Sequence, residues 1–310
     1  MRIVFMGTPE FSVPVLEALV KEGHEVVGVV TQPDKPKGRG KAVLMPPVKE
    51  KALEYGLSVY QPAKVRDAGF VEVLKGLNPD IMVVVAFGQI LPKSVLDIPP
   101  FGCVNIHASL LPRYRGAAPI QWVIIDGEQE TGITTMMMDP GLDTGDMLEK
   151  TVVPIAPDET GDSLHDKLKE AGASLILSTL KKIEAGIITR IPQTDEGTCY
   201  ARMLTKNMGK IDWTMEAAAI ERLVRGLNSW PGTYTTWKGR TLKIWKVQVL
   251  EEDCDGACGE VVRADKNSLL VKTGKGILSL LEVQPEGKKR MAADAFLRGY
   301  PVAEHTILPS

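Results

Sequence analysis

Four cysteines in 310 residues, at positions 103, 199, 254 and 258, are too few and too scattered for a disulfide framework. Cys254 and Cys258 form a lone Cys-x3-Cys with no second pair and no nearby histidine. Structural zinc takes four ligands, so no metal is expected. No apolar run approaches the ~18 residues that span a bilayer. The apolar opening Met1–Met6 is broken by Gly7-Thr8-Pro9-Glu10 before it reaches the length of an export signal. A reducing cytoplasm is the expected compartment, and no membrane partner is expected. The phosphate-binding pattern G-x-G-x-x-G is missing as well. Gly7-Thr8-Pro9-Glu10-Phe11-Ser12 places Pro9 where a second glycine would let the backbone approach a pyrophosphate, which argues against a dinucleotide.

The formal net charge of -2 gives no global basicity for nucleic acid, but the distribution is uneven. Residues 1–208 hold 22 Lys and Arg against 26 Asp and Glu, whereas residues 209–310 hold 15 against 13. Within 200–250 the ratio is 9 to 3, a local excess that can guide an anionic partner. The texture changes along the chain too. The first half alternates apolar strands with helices: Ile3–Met6, a helix over 13–21, a strand over 25–30, helices over 47–55 and 68–76, and the apolar run Ile81–Phe87. Continuous apolar strands between helices imply a Rossmann-like, doubly wound, mostly parallel sheet covered on both faces. Such sheets hold ligands beyond the carboxyl ends of their strands. Further strands are read at 103–107 and 134–138. A long helix over 162–183 can be capped by Thr160 or Asp162 and carries the stripe Leu164, Leu168, Ala171 and Leu175. From 211 a helix near 215–226 precedes short strands separated by Gly, Asp and Asn turns, the pattern of a small antiparallel barrel of OB-like type. The expected organisation is therefore an α/β catalytic domain over 1–189, an irregular linker over 190–208, and a barrel over 209–310.

Two segments carry chemistry. In Asn105-Ile106-His107 the polar residues are two apart on a strand, so both side chains leave one face. An amide donor beside an imidazole can hold an oxyanion and move a proton near neutral pH. Alone, such a pair on a strand is more often a hydrogen-bonded structural element. Further on comes Asp139-Pro-Gly-Leu-Asp143-Thr-Gly-Asp146, its Asp143 36 residues beyond His107, and Gly141 within it and Lys150 after it are wrong for a calcium loop. It fits an aspartate that orients a histidine, and it also fits an ordinary turn.

Taken together, Asn105-x-His107, Ser109-Leu-Leu-Pro112, Arg115-Gly-Ala-Ala-Pro-Ile-Gln121 and Asp143-Thr-Gly-Asp146 resemble the folate-dependent formyltransferases. Met6-Gly-Thr-Pro9, Thr31-Gln-Pro-Asp34, Gly38-Arg-Gly-Lys41, Ala86-Phe-Gly88, Ile90-Leu-Pro92, Ile211-Asp-Trp213, Leu281-Glu-Val-Gln-Pro285 and Gly287-Lys-Lys289 narrow the resemblance to members that act on charged initiator tRNA. It covers nearly the whole chain. It implies transfer of the formyl group of 10-formyltetrahydrofolate to the amine of initiator methionyl-tRNA, by a monomer without a metal.

On that resemblance Asn105, His107 and Asp143 are catalytic. Asn105 and protonated His107 would face the developing oxyanion, and Asp143 would orient the ring. The amine's proton would go to His107 or to water linked to Asp143. Ser109, Leu110, Leu111 and Pro112, with Phe87, Gly88, Ile90 and Leu91, would hold the folate. Ser109 is a candidate nucleophile only through its nearness to His107. Lys35, Lys37, Arg39 and Lys41, with Lys206 and Lys210, would follow the tRNA backbone. Arg225, Lys238, Arg240, Lys243 and Lys246 would extend that surface, with Trp213, Trp230, Trp237 and Trp245 either stacking on bases or packing the barrel.

Overall fold

A computed structural model of the 310-residue chain describes residues 1–36, 43–252 and 254–310. The chain divides into two compact units: Met1–Pro119 with Glu130–Pro154 and His165–Ala201, and Ile120–Gln129 with Ile155–Leu164 and Arg202–Ser310. The second unit thus begins at Arg202 but also takes two excursions from the stretch read as a single catalytic domain. Residues 190–201, read as linker, fold within the first unit.

The first unit is built on a seven-stranded sheet in the order Met147–Pro154, Glu130–Met137, Cys103–His107, Ile81–Val85, Arg2–Gly7, Glu25–Val30, Val59–Tyr60. From Cys103–His107 to Val59–Tyr60 every pairing is parallel. The other two pairings are antiparallel. The mostly parallel sheet read from the sequence is present. Ile81–Val85 is buried along its whole length, which explains why it is apolar at every position and not alternately. Each such aliphatic side chain contributes roughly 1.5–3 kcal/mol by leaving water. The strand stops before Phe87 because Ala86 turns into the left-handed region at φ 45°. Helices Val13–Lys21, Pro47–Glu54 and Ala68–Gly76 lie close to their expected spans. Gly161–Glu184 is the long helix, with Thr160 Oγ1 accepting the Ser163 N–H at its start.

Cys103–His107 pairs Val84 with Asn105 on one side and Asn105 with Met136 on the other. That register carries Val104 and Ile106 into the core, fully and almost fully buried. By alternation it sends Asn105 and His107 to the opposite face.

The second unit holds an antiparallel sheet in the order Thr233–Trp237, Arg240–Leu250, Ile277–Pro285, Leu269–Lys272, Val261–Ala264. Helix Ala217–Gly226 contributes Ala217, Ile220 and Val224 to its core, which is centred on Trp213, Val271, Leu278 and Phe296. Trp213 has no exposed surface.

Candidate active site

His107 ends its strand and is 6% exposed. Its Nε2 lies 2.9 Å from the Tyr114 carbonyl oxygen. A carbonyl only accepts, so Nε2 carries the hydrogen and Nδ1 is the nitrogen left open. Nδ1 sits 3.7 Å from Asp143 Oδ2. The two residues, 36 apart in sequence, are therefore brought together.

Asp143 lies in the loop joining Glu130–Met137 to Met147–Pro154, with φ at 54°. Its Oδ2 accepts the Gly116 N–H at 2.9 Å. Gly116 has φ 112°, and a Cβ there would stand 2.8 Å from the Ala201 carbonyl oxygen, so only glycine lets this N–H reach the carboxylate. Gly145 is required for a similar reason: its Cβ would lie 1.8 Å from the Met137 carbonyl oxygen. Asp139 organises the loop's start, accepting the Gly141 N–H at 3.0 Å and the Thr144 hydroxyl at 2.8 Å. Asn105 is partly exposed, and its side chain makes no hydrogen bond within the described residues. Ser109 is fully buried and its hydroxyl donates to the Arg113 carbonyl at 2.7 Å, which removes it as a nucleophile.

A formyl transferase family model matches residues 1–180, and a formyl transferase C-terminal domain model matches 203–301. The methionyl-tRNA formyltransferase of Agathobacter rectalis is 55% identical over 304 residues, 98% of each chain. That of Geobacter sulfurreducens is 53% identical over 308 residues, covering 99% of this chain and 96% of the relative. The chain belongs to the methionyl-tRNA formyltransferase family. Among solved structures, an N-formyltransferase from Helicobacter canadensis in complex with folinic acid and dTDP-3-aminofucose superposes with a TM-score of 0.70 at 18% identity, over 92% of this chain and 99% of that one. HypX from Aquifex aeolicus in complex with tetrahydrofolic acid gives 0.65 at 18% identity, over all of this chain and 51% of that one. At that identity the likeness concerns the fold.

Several motifs quoted for this family meet at the carboxyl edge of the sheet. Thr8 Oγ1 and Gln32 Nε2 both donate to the Phe87 carbonyl, at 3.0 and 3.1 Å. Ala86 and Gly88 are exposed, both with positive φ. Of the apolar residues expected against a pterin, Phe87 and Leu91 are 2% exposed and belong to the core, whereas Ile90 is 82% exposed. Leu111 is buried, while Leu110 and Pro112 are half-buried.

Of the basic residues expected along tRNA, Lys35, Lys206 and Lys210 are exposed, and Lys37, Arg39 and Lys41 lie outside the described residues. Arg225 is held by Glu221 and donates to the Glu159 carbonyl at 2.9 Å, so its guanidinium serves the fold. Lys243 and Arg290 flank the Trp245 ring at 5.4 and 5.2 Å. Trp230 is 51% exposed, in contrast to Trp213. Among the described residues no group of three or more His, Cys, Asp or Glu could hold a metal, and no helix is long and apolar enough to cross a membrane.

Sequence reasoning missed Tyr114, which fixes the His107 tautomer, and Gln193, which holds the Asp143 loop. It also missed Lys150 and Thr134, which pin the Ser109–Pro112 segment. Each acts through a side-chain bond to a backbone group, and such bonds leave no periodic trace.

Proposed function

We propose that the chain transfers the formyl group of 10-formyltetrahydrofolate to the free amine of methionine on initiator methionyl-tRNA, in the cytoplasm. The observation that carries this reading is the approach of His107 Nδ1 to Asp143 Oδ2 on the sheet edge where Asn105 keeps an uncommitted amide, in a chain of this family. At 3.7 Å the contact is an ion pair when the ring is charged, but it is too long for a hydrogen bond. A proton on Nδ1 is therefore not tied up in a hydrogen bond to the carboxylate. It stays available, with the Asn105 amide, to the oxygen that gains charge as the amine adds to the formyl carbon. Each such donor contributes about 10²–10³ in rate.

Asp143 has a second task. Its Oδ2 is taken by the Gly116 N–H, while Oδ1 accepts no hydrogen bond among the described residues. Oδ1 receives the amine's proton through water, a transfer worth about 10²–10⁴, and the same path returns it to N10 as the bond from the formyl carbon to N10 breaks and tetrahydrofolate leaves. The folate lies against the main chain at Gly88 and the exposed Ile90, which Phe87 and Leu91 back from the core, and against the Ser109–Pro112 segment. The exposed, left-handed backbone at Ala86 and Gly88 supports that placement, because it leaves main-chain groups open at the sheet edge. Lys35, Lys37, Arg39, Lys41, Lys206 and Lys210 contact tRNA phosphates.

The test is formylation of charged initiator and elongator methionine tRNAs by the purified chain with 10-formyltetrahydrofolate. Product is expected on the initiator alone. His107→Ala, Asn105→Ala and Asp143→Asn should each lose at least about 10²-fold in turnover while still melting cooperatively. Near-normal turnover in folded Asp143→Asn, or formate release without tRNA, would sink the reading.

A further inference from the structure

Gln193 sits in a polar, irregular stretch, yet every hydrogen-bonding atom of its side chain is engaged. Nε2 donates to the Asp143 carbonyl and to the Gly145 carbonyl, both at 2.8 Å. Oε1 accepts Nε–H of Arg115 at 3.0 Å, and Arg115 is only 3% exposed. The residue after Arg115 is Gly116, whose N–H holds the Asp143 carboxylate. The bonds therefore form a closed ring from carboxylate to Gly116, Arg115, Gln193 and back to the carbonyl of the same aspartate.

We infer that Gln193 is a positioning residue for formyl transfer, acting through Asp143. The inference rests on the roles proposed above for His107 and Asp143. A left-handed backbone is unfavourable for an L residue, so Asp143 needs outside support to stay beside His107. Only a primary amide offers two donors and an acceptor in this arrangement. Glutamate keeps the length and the Arg115 bond, but turns an acceptor toward two carbonyl oxygens. Asparagine is one methylene short, and alanine removes all three bonds. Gln193 itself touches neither His107 nor Asn105 through any hydrogen bond.

The experiment compares Gln193→Ala, Gln193→Glu, Asp143→Asn and the Gln193→Ala/Asp143→Asn double variant in steady-state formylation, with thermal melting of each. Both Gln193 variants are expected to lose about 10- to 100-fold in kcat, the scale of an ångström-level misplacement, with KM for folate and tRNA unchanged. In the Asp143→Asn background, Gln193→Ala should add almost nothing, because both changes act on one group. A merely structural role would instead lower stability and add fully in the double variant, and that result overturns the inference. If Gln193→Ala does not fold, Gln193→Glu carries the same test. Wild-type kcat in folded Gln193 variants beside a crippled Asp143→Asn overturns this inference alone. Near-normal Asp143→Asn overturns the reading of the site, and this inference with it.

Discussion

Lys150 Nζ donates to the Leu111 carbonyl at 2.5 Å, so a lysine on the sheet's edge strand pins the segment that follows His107. Lys150 stands opposite Thr134 in the strand register, and Thr134 Oγ1 holds the same segment twice. It donates to the Ser109 carbonyl at 2.7 Å and accepts the Leu111 N–H at 3.1 Å. Burial pushes the Lys150 ammonium below the usual lysine range. The folded chain thus disfavours the charge: below the folded pKa the cation costs stability, and that cost falls as pH rises through it.

Lys150→Met removes the partly desolvated charge and the hydrogen bond together. Melting at pH 7 should be unchanged or higher, while KM for folate rises about tenfold, equivalent to ~1.4 kcal/mol. Scanning fluorimetry beside steady-state kinetics reads both quantities. A drop in melting temperature with unchanged folate KM would assign Lys150 to stability instead.

Asp34, five residues before Arg39 in sequence, is held by Lys49 and Gln61, each at 2.7 Å. Arg39→Ala should raise KM for tRNA and leave KM for folate alone. The slope of log affinity against log salt should fall by about one unit, as expected for one lost phosphate contact. Filter binding at several salt concentrations measures that slope. Equal loss for both substrates would point to damage of the sheet edge.

Burial, with Asp97 nearby, pushes the Cys103 thiol up to about 12, whereas Cys258 is exposed. Alkylation at pH 8 followed by peptide mass spectrometry should label Cys258 quickly and spare Cys103 until the chain is unfolded, since only the thiolate reacts.

Glu149 is raised by burial, but Lys182, Thr179 and Ser178 outweigh this and hold its carboxyl below the ordinary 4.5. A carboxylate lowered in the fold stabilises above its unfolded pKa, and the contribution is lost as pH falls through the folded one. Glu149→Gln should therefore melt lower than the parent at pH 7, and the gap should close below pH 4.5. A gap that stays constant however far the pH falls would attribute the effect to packing.

The alternation of apolar strands and helices was legible because burial on both faces of a parallel sheet writes continuous apolar runs, as in Ile81–Val85. Asn105 and His107 were legible as a pair because a strand repeats every two residues. Their partnership with Asp143 came from family resemblance, since a contact across 36 residues has no local signature. Residues 190–201 read as a linker because their role runs through side chains and a two-residue strand: Tyr200–Ala201 pairs with Arg115–Gly116, and the Arg115 N–H donates to the Cys199 carbonyl at 3.0 Å. Met147–Pro154 went unread because an edge strand carries Glu149, Lys150 and Thr151 where a central one would be apolar. Left-handed turns at Ala86, Tyr114 and Asp143 use no glycine, so nothing in composition announces them.

The pairing of Val84 with Asn105 makes the proposed site hostage to parity. Removing or inserting one residue in the turn before Cys103 would slide this strand by a single step and invert its two faces. Valine and isoleucine would then line the opening, and the amide and imidazole would be pressed into oil. A one-residue length change in that turn would thus be chemically equivalent to deleting both groups proposed for catalysis at once, although composition would scarcely change.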